Sequence, residues 1–328
     1  MYAAGCTLTS CPSPYRVGKP ARSARGAACA RPLGLTTSAF SMALKVVRRR
    51  IVSERLEQEY LTTYQPLPSR FAEQLDPFLL LHHTGPEELE PQGRGLPFAP
   101  HPHRGFETVT FVFAGDVRHH DSRGNTGVIG AGGVQWMTAG LGIVHSENIS
   151  RELREAGGSI EYVQLWINLP ARLKRTQPRY QGAAAAQIPV VALPAGHGSV
   201  KVVAGNWQGV TGPIESITGV RALVVELAAG GQLPADVEAG QTVLFYVLRG
   251  AVHVNGRDVE GHTLVEFEPG DTGIHLVATA PTTILLCTGQ PYHEPLAWQG
   301  PYVMNTQTEL MEAMRDYRMG KMGMLFDE

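Results

Sequence analysis

Two short stretches carry side chains able to hold a metal ion, His101-Pro102-His103 and His145-Ser146-Glu147. In each, the capable residues sit at i and i+2. Alternate side chains of an extended strand point to the same face, so each stretch, as a strand, aims a pair of ligands in one direction. Two such strands facing one another inside a barrel bring together three imidazoles and one carboxylate. That set suits a borderline divalent metal, Fe(II) above all, with positions left open for a substrate or dioxygen. Nickel, manganese and copper suit the same donors, because geometry and supply choose among them.

The elements around these motifs read as strands. Residues 107–113 (ETVTFVF) are β-branched and aromatic and end at the turn signal Ala114-Gly115-Asp116. Residues 117–121, 134–138, 143–147 and 160–169 follow as further strands, the last stopped by Pro170. Short strands at this spacing predict a sandwich or barrel. The Ala- and Pro-rich stretch 177–194 reads as a linker. A second β unit then echoes the first: residues 242–250 (TVLFYVLRG) resemble 108–115 (TVTFVFAG), allowing one extra residue. The same offset carries His101 and His103 onto Asp236 and Glu238, and residues 284–287 offer no His-x-Glu. The expectation is a duplicated barrel in which only the first copy kept its ligands. Thr306 and Glu309 form the Thr-x-x-Glu pattern of a capping box, which predicts a C-terminal helix beginning near Gln307.

Composition narrows the class. The chain has 328 residues, 43% hydrophobic and 18% charged, with 37 glycines and 23 prolines, which favours strands and turns over a helical bundle. No run approaches the roughly 18 apolar residues of a membrane span. Residues 1–53 contain nine bases and no acid, which leaves 19 bases against 30 acids beyond them. A body this acidic argues against direct nucleic-acid binding. The basic, Ser/Ala-rich leader reads as an organellar transit peptide, chloroplast before mitochondrion. The alternative is a start at Met42 and a cytoplasmic or nuclear protein. Cys6, Cys11 and Cys29 lie in the leader, so only Cys287 remains in the body, as a small buried hydrophobe.

The segments HPHRGFETVTFVFAG (101–115) and GVQWMTAGLGIVHSE (133–147) closely resemble the pirin family of the cupin superfamily. Residues 75–81, 164–170 and 300–306 are similar to further pirin segments, and the resemblance runs from about Lys45 to the C-terminus. It implies an all-β fold of two cupin (jelly-roll) barrels in tandem with a short C-terminal helix. The expected division is a leader at 1–48, a metal-binding barrel at 49–180, a linker at 181–198, a metal-free barrel at 199–290 and a tail with helix at 291–328. The resemblance also implies one Fe(II) per chain, held by His101, His103, His145 and Glu147, and a monomer.

Glu107, four residues after the second histidine, is a rival carboxylate that other cupins use; here it is expected to orient an imidazole instead. His119 and His120 are placed on the surface or behind the ligands, and Arg104 is expected to pair with Glu107 or another acid. His82 and His83 either line the pocket mouth or sit in solvent. The activity implied is a quercetin 2,3-dioxygenase-type opening of a flavonol by dioxygen, with Glu147 taking the substrate's hydroxyl proton. A second implication is a metal- and redox-dependent module that docks a regulatory protein partner without turnover. A purely structural cupin needs no ligands, and fold alone does not choose among these.

Overall fold

The computed structural model describes residues 43–58 and 60–326. The leader expected at 1–48, its three cysteines and Met42 lie outside the described residues, apart from the last residues of that leader.

Two barrels follow one another, and each is a large sheet closed by a small one. In the first, the large sheet runs in the order Arg179–Ala183, Val134–Thr138, Phe106–Ala114, Gly158–Asn168, Phe78–Leu89, Leu61–Leu67, Glu54–Gln58. The small sheet runs Phe98–His103, Ile143–Asn148, Asp116–Asp121, Thr126–Gly130. The second barrel repeats this plan. Its small sheet is Gln232–Asp236, Gly273–Ala278, Ala251–Val254, Arg257–Glu260, and its large sheet centres on Thr242–Arg249 and Thr282–Gly289. Pairing is antiparallel throughout both small sheets. The all-β, two-barrel expectation therefore holds.

The register also corrects the offset between the copies. Glu147 pairs with His119 where Leu276 pairs with Val254, and His101 pairs with His145 where Ala235 pairs with Ile274. The counterparts of His101 and His103 are thus Ala235 and Val237, one residue before Asp236 and Glu238, which are exposed. Those of His145 and Glu147 are Ile274 and Leu276, not a residue in 284–287. All four counterparts are apolar and buried. The interior they share with Val200, Leu223, Val225 and Phe245 is a continuous hydrophobic core, and among the described residues no group of metal-capable side chains lies in it. The second copy has exchanged its donors for packing.

The two large sheets lie face to face. Phe78, Val109, Phe111, Trp136 and Leu165 of the first meet Val224, Leu244, Tyr246, Leu285 and Cys287 of the second. Cys287 is fully buried there, and burial pushes its thiol upward. This contact explains why residues 107–113 lack the polar alternation of a half-exposed strand: one face looks into the barrel and the other into the neighbouring barrel.

The chain ends are exchanged. Val47–Val52 precedes the first barrel in sequence but pairs with Thr263–Phe267 at the edge of the second barrel's large sheet. It takes the place that Arg179–Ala183 takes in the first. The C-terminal helix Gln307–Arg318 returns to the first barrel, where Leu310, Ala313 and Met322 pack with Val144. Its capping box is formed as expected: Thr306 Oγ1 accepts from Glu309 N at 3.2 Å, and Thr306 N donates to Glu309 Oε2 at 3.0 Å. The stretch 177–194 is more ordered than a linker, supplying the edge strands Arg179–Ala183 and Val190–Ala192 to the two large sheets. No helix among the described residues is long and apolar enough to cross a membrane.

Candidate metal centre

Two antiparallel neighbours build the site. Phe98–His103 pairs with Ile143–Asn148 so that His101 lies opposite His145, and His103 opposite Ile143. The period-two geometry turns His101, His103, His145 and Glu147 into the barrel. After His103 the chain must turn the corner from the small sheet into the large one within two residues. Gly105 does this at φ 88°, with its α-carbon so close to the Val303 carbonyl that any side chain would collide with it. The buried Lys174 Nζ fastens the same turn, donating to the Gly105 and Val303 carbonyls at 2.9 Å and to Asn168 Oδ1 at 2.7 Å.

The three imidazoles converge. Ring centroids are 4.8 Å apart for His101 and His103, 4.4 Å for His101 and His145, and 4.9 Å for His103 and His145. Each offers one ring nitrogen, all within 4.8 Å of one another. The Nδ1 of His103 and the Nε2 of His145 are buried without a hydrogen-bond partner. His101 Nδ1 lies 2.8 Å from the Ala99 carbonyl, which takes its proton and leaves Nε2 bare. Burial, and next the neighbouring imidazoles, hold His103 and His145 well below the ordinary histidine range. Both are therefore neutral donors near pH 7, as a metal requires. Buried lone pairs with nothing to meet are costly, and a cation among them removes that cost.

Glu147 faces the same cavity but stands apart from the histidine group. Its carboxylate is held by neutral donors instead. Oε1 accepts from Gln135 Nε2 and from Thr110 Oγ1 at 3.2 Å, and Oε2 from Gln164 Nε2 at 2.7 Å. Trp166 Nε1 in turn donates to Gln164 Oε1 at 3.1 Å. The cavity has a volume of about 270 Å³, with Trp166, Phe98 and Leu80 as apolar wall and His82 at one side. His82 bonds Gln65 Oε1 at 2.6 Å, and burial pulls its pKa down to about 4.

Behind His145 lies an arrangement that the sequence reading placed at the surface or behind the ligands without resolving it. His119 is buried, stacked on Tyr180 at 4.2 Å, with its Nε2 3.0 Å from Asp121 Oδ2. Its Nδ1 is 3.5 Å from His145 Nδ1. A carboxylate only accepts, so His119 carries its proton on Nε2 and presents a bare Nδ1. His145 then donates from Nδ1 and keeps its Nε2 lone pair for the centre. Burial pulls Asp121 upward, but bonds from His119, Asn125 and the Arg123 amide outweigh it and hold the carboxyl below its usual range. The signal was present in the sequence: His-x-Asp on a strand has the period of the ligand motifs themselves.

Several other expectations change. Glu107 orients no imidazole. It lies on the opposite face of its strand, between the barrels, where Thr138 Oγ1 donates to it at 2.6 Å. Of the two partners expected for Arg104, the second holds: it pairs with another acid, Asp316 of the C-terminal helix, at 3.0 Å. His83, one residue from His82 and so on the other face, bridges the barrels through Tyr246 Oη at 3.1 Å and Glu161 Oε1 at 3.0 Å.

Burial raises the Glu107 pKa to about 7 from the ordinary 4.5. Between those values the native chain keeps a proton that the unfolded chain has lost, so stability falls as pH rises through that window. Glu107→Gln is expected to abolish the fall and to stabilise the protein above pH 7 by about 3 kcal/mol. Urea midpoints at pH 5 and pH 8 check this; an equal gain at both would show that Glu107 does not titrate there.

A tandem pair of cupin barrels, one with a three-histidine centre and one filled with hydrocarbon, defines a bicupin with one candidate metal site among the described residues. The chain belongs to the pirin family: residues 60–167 match the pirin domain and residues 222–323 the pirin C-terminal cupin domain. It is 40% identical over 247 residues, 75% of this chain and 86% of the relative, to a Pseudomonas aeruginosa protein whose name is that of a quercetin 2,3-dioxygenase without established activity. The crystal structure of quercetin 2,3-dioxygenase from Acinetobacter baumannii superposes with a TM-score of 0.82 at 38% identity, covering 87% of this chain and all of that one. The fold is also that of the bacterial pirin YhhW of Escherichia coli, solved in complex with nickel(II), at a TM-score of 0.58 and 20% identity over 76% of this chain and 99% of that one.

Proposed function

We propose that the protein is a metal-dependent dioxygenase that opens flavonols of the quercetin type, with Fe(II) held by His101, His103, His145 and Glu147. The observation that carries this reading is the three imidazoles, each offering a ring nitrogen within 4.8 Å of the others, with a buried unpartnered nitrogen on His103 and on His145, opening onto an apolar cavity of about 270 Å³. The likeness to proteins named quercetin 2,3-dioxygenase supports it. When bound, the metal supplies Lewis acidity that favours the ionised flavonol and a place for dioxygen.

The chain's own residues do the rest. Trp166, Phe98 and Leu80 bury the planar aromatic rings and exclude water. Glu147 would complete the ligand set by giving up its Gln164 bond, and it is also the base in reach: loosened from the metal, its Oε2 would take the proton of the substrate's 3-hydroxyl while Gln135 and Thr110 hold Oε1 in place. Gln164, steadied by Trp166, follows the carboxyl through that change. Dioxygen adds across C2 and C3, and the ring opens with release of carbon monoxide. Purified protein loaded in turn with Fe(II), Ni(II), Mn(II) or Cu(II) is expected to consume quercetin and dioxygen in equal amounts and to release carbon monoxide with at least one of them. No dioxygen uptake with any of the four would overturn the assignment.

A further inference from the structure

The strands that aim the histidines inward have a second face. On Ile143–Asn148, His145 and Glu147 look into the barrel while Ser146 and Asn148 look out. On Asp116–Asp121, His119 looks in while Arg118 and His120 look out. The outward face is not flat. The short helix Arg151–Ala156 stands beside it, fixed by Ser150, whose amide and hydroxyl both donate to Asp116 at 2.6 Å. Between helix and sheet lies a cavity of about 720 Å³, lined by Arg118, His120, Ser146, Asn148, Arg151 and Arg154 among others. No Asp or Glu is among its lining residues.

We propose that this cavity binds a phosphorylated small molecule of nucleotide size, at a site separate from the metal centre. Three guanidinium groups reach it from two elements, Arg118 from the sheet and Arg151 and Arg154 from the helix; the Nε of Arg151 pairs with Glu155 Oε1 at 2.6 Å, which leaves its two terminal nitrogens to face a ligand. Guanidinium forks match phosphate oxygens in pairs and stay charged at any physiological pH. Asn148 Oδ1 is already occupied by the Leu96 and Ile149 amides, each at 2.9 Å, so what Asn148 offers a ligand is its N–H₂. The lining thus presents donors and positive charge. It does so in a body that carries 19 bases against 30 acids beyond residue 53, so the cavity is a positive island that steers polyanions to one place. The volume lies within the ordinary range for small-molecule sites. Phe98 lines this cavity and the metal cavity alike, and so separates the two.

The test uses inorganic pyrophosphate and the full chain. Calorimetric titration in low-salt buffer is expected to show one saturable site, weakened about tenfold or more in the double variant Arg151→Glu, Arg154→Glu and unchanged in the control Arg315→Glu. Metal content of the double variant is expected to equal that of the parent, which establishes that it is folded. ATP is expected to bind at least as tightly as pyrophosphate, and adenosine not at all. The proposal is overturned by no saturable binding up to about 10 mM pyrophosphate, by equal binding in parent and double variant, or by tighter binding of citrate than of pyrophosphate.

Discussion

His103→Ala is expected to empty the metal centre and, with it, to end flavonol oxidation. His103 is buried, edge-on to Phe106 at 4.9 Å and to Trp166 at 5.2 Å. Metal sites of this kind hold their ion by about 10 kcal/mol or more over four ligands, so one ligand accounts for about 3 kcal/mol, or roughly 100-fold in affinity. Elemental analysis after dialysis against a weak chelator reads the loss directly. Alanine also removes a buried nitrogen that has no partner without the metal, so the metal-free protein is expected to melt no lower than the metal-free parent. A His103→Ala protein that retained a full equivalent of metal would refute the centre as described.

The second large effect is expected one layer further out, at Asp121→Asn. Asp121 Oδ1 accepts from the Arg123 amide at 2.8 Å and the Asn125 amide at 3.1 Å, so an asparagine must place its oxygen there. Its N–H₂ then faces His119 Nε2, where a proton already sits. Relief comes from moving that proton to Nδ1, which forces His145 to accept at its own Nδ1 and to carry hydrogen on Nε2, the atom meant for the metal. Metal affinity is expected to fall 10- to 100-fold, by about 1.4–2.7 kcal/mol, with the fold intact. Competition with a coloured chelator measures the fall, and nitrogen NMR of the imidazoles reports which ring atom is protonated. Unchanged tautomers together with unchanged affinity would remove Asp121 and His119 from any role in positioning His145.

Much of the centre was legible because strand periodicity is local. His101, His103, His145 and Glu147 declare their common face within three residues each. What pairs with that face is not local. Gln164 and Gln135 reach Glu147 from strands that no short pattern connects to it, and the Asp121–His119 pair becomes meaningful only once its strand lies beside His145. Glu107 illustrates the opposite limit. Its strand is buried on both sides, so neither hydropathy nor spacing from His103 tells which barrel it looks into. The offset between the two copies failed by one residue for a related reason. The run after each turn aligns well, but the ligand strand lies before it, and a single residue of slack inverts the face of every side chain there. The apolar counterparts Ala235, Val237, Ile274 and Leu276 were visible in the sequence and needed only the correct register to be read.

The exchanged termini bear on how this protein is made. Neither barrel is complete within its own half of the gene: the later one borrows Val47–Val52, and the earlier one is sealed by the final helix. A ribosome that has finished the first half has therefore produced a barrel still lacking its cover, together with a strand awaiting a sheet not yet translated. Final assembly must wait until the helix Gln307–Arg318 has emerged, and each half expressed alone would present an open edge to its neighbours. The same crossing ties the two lobes together as a clasp does, so that pulling them apart means first unravelling one of them.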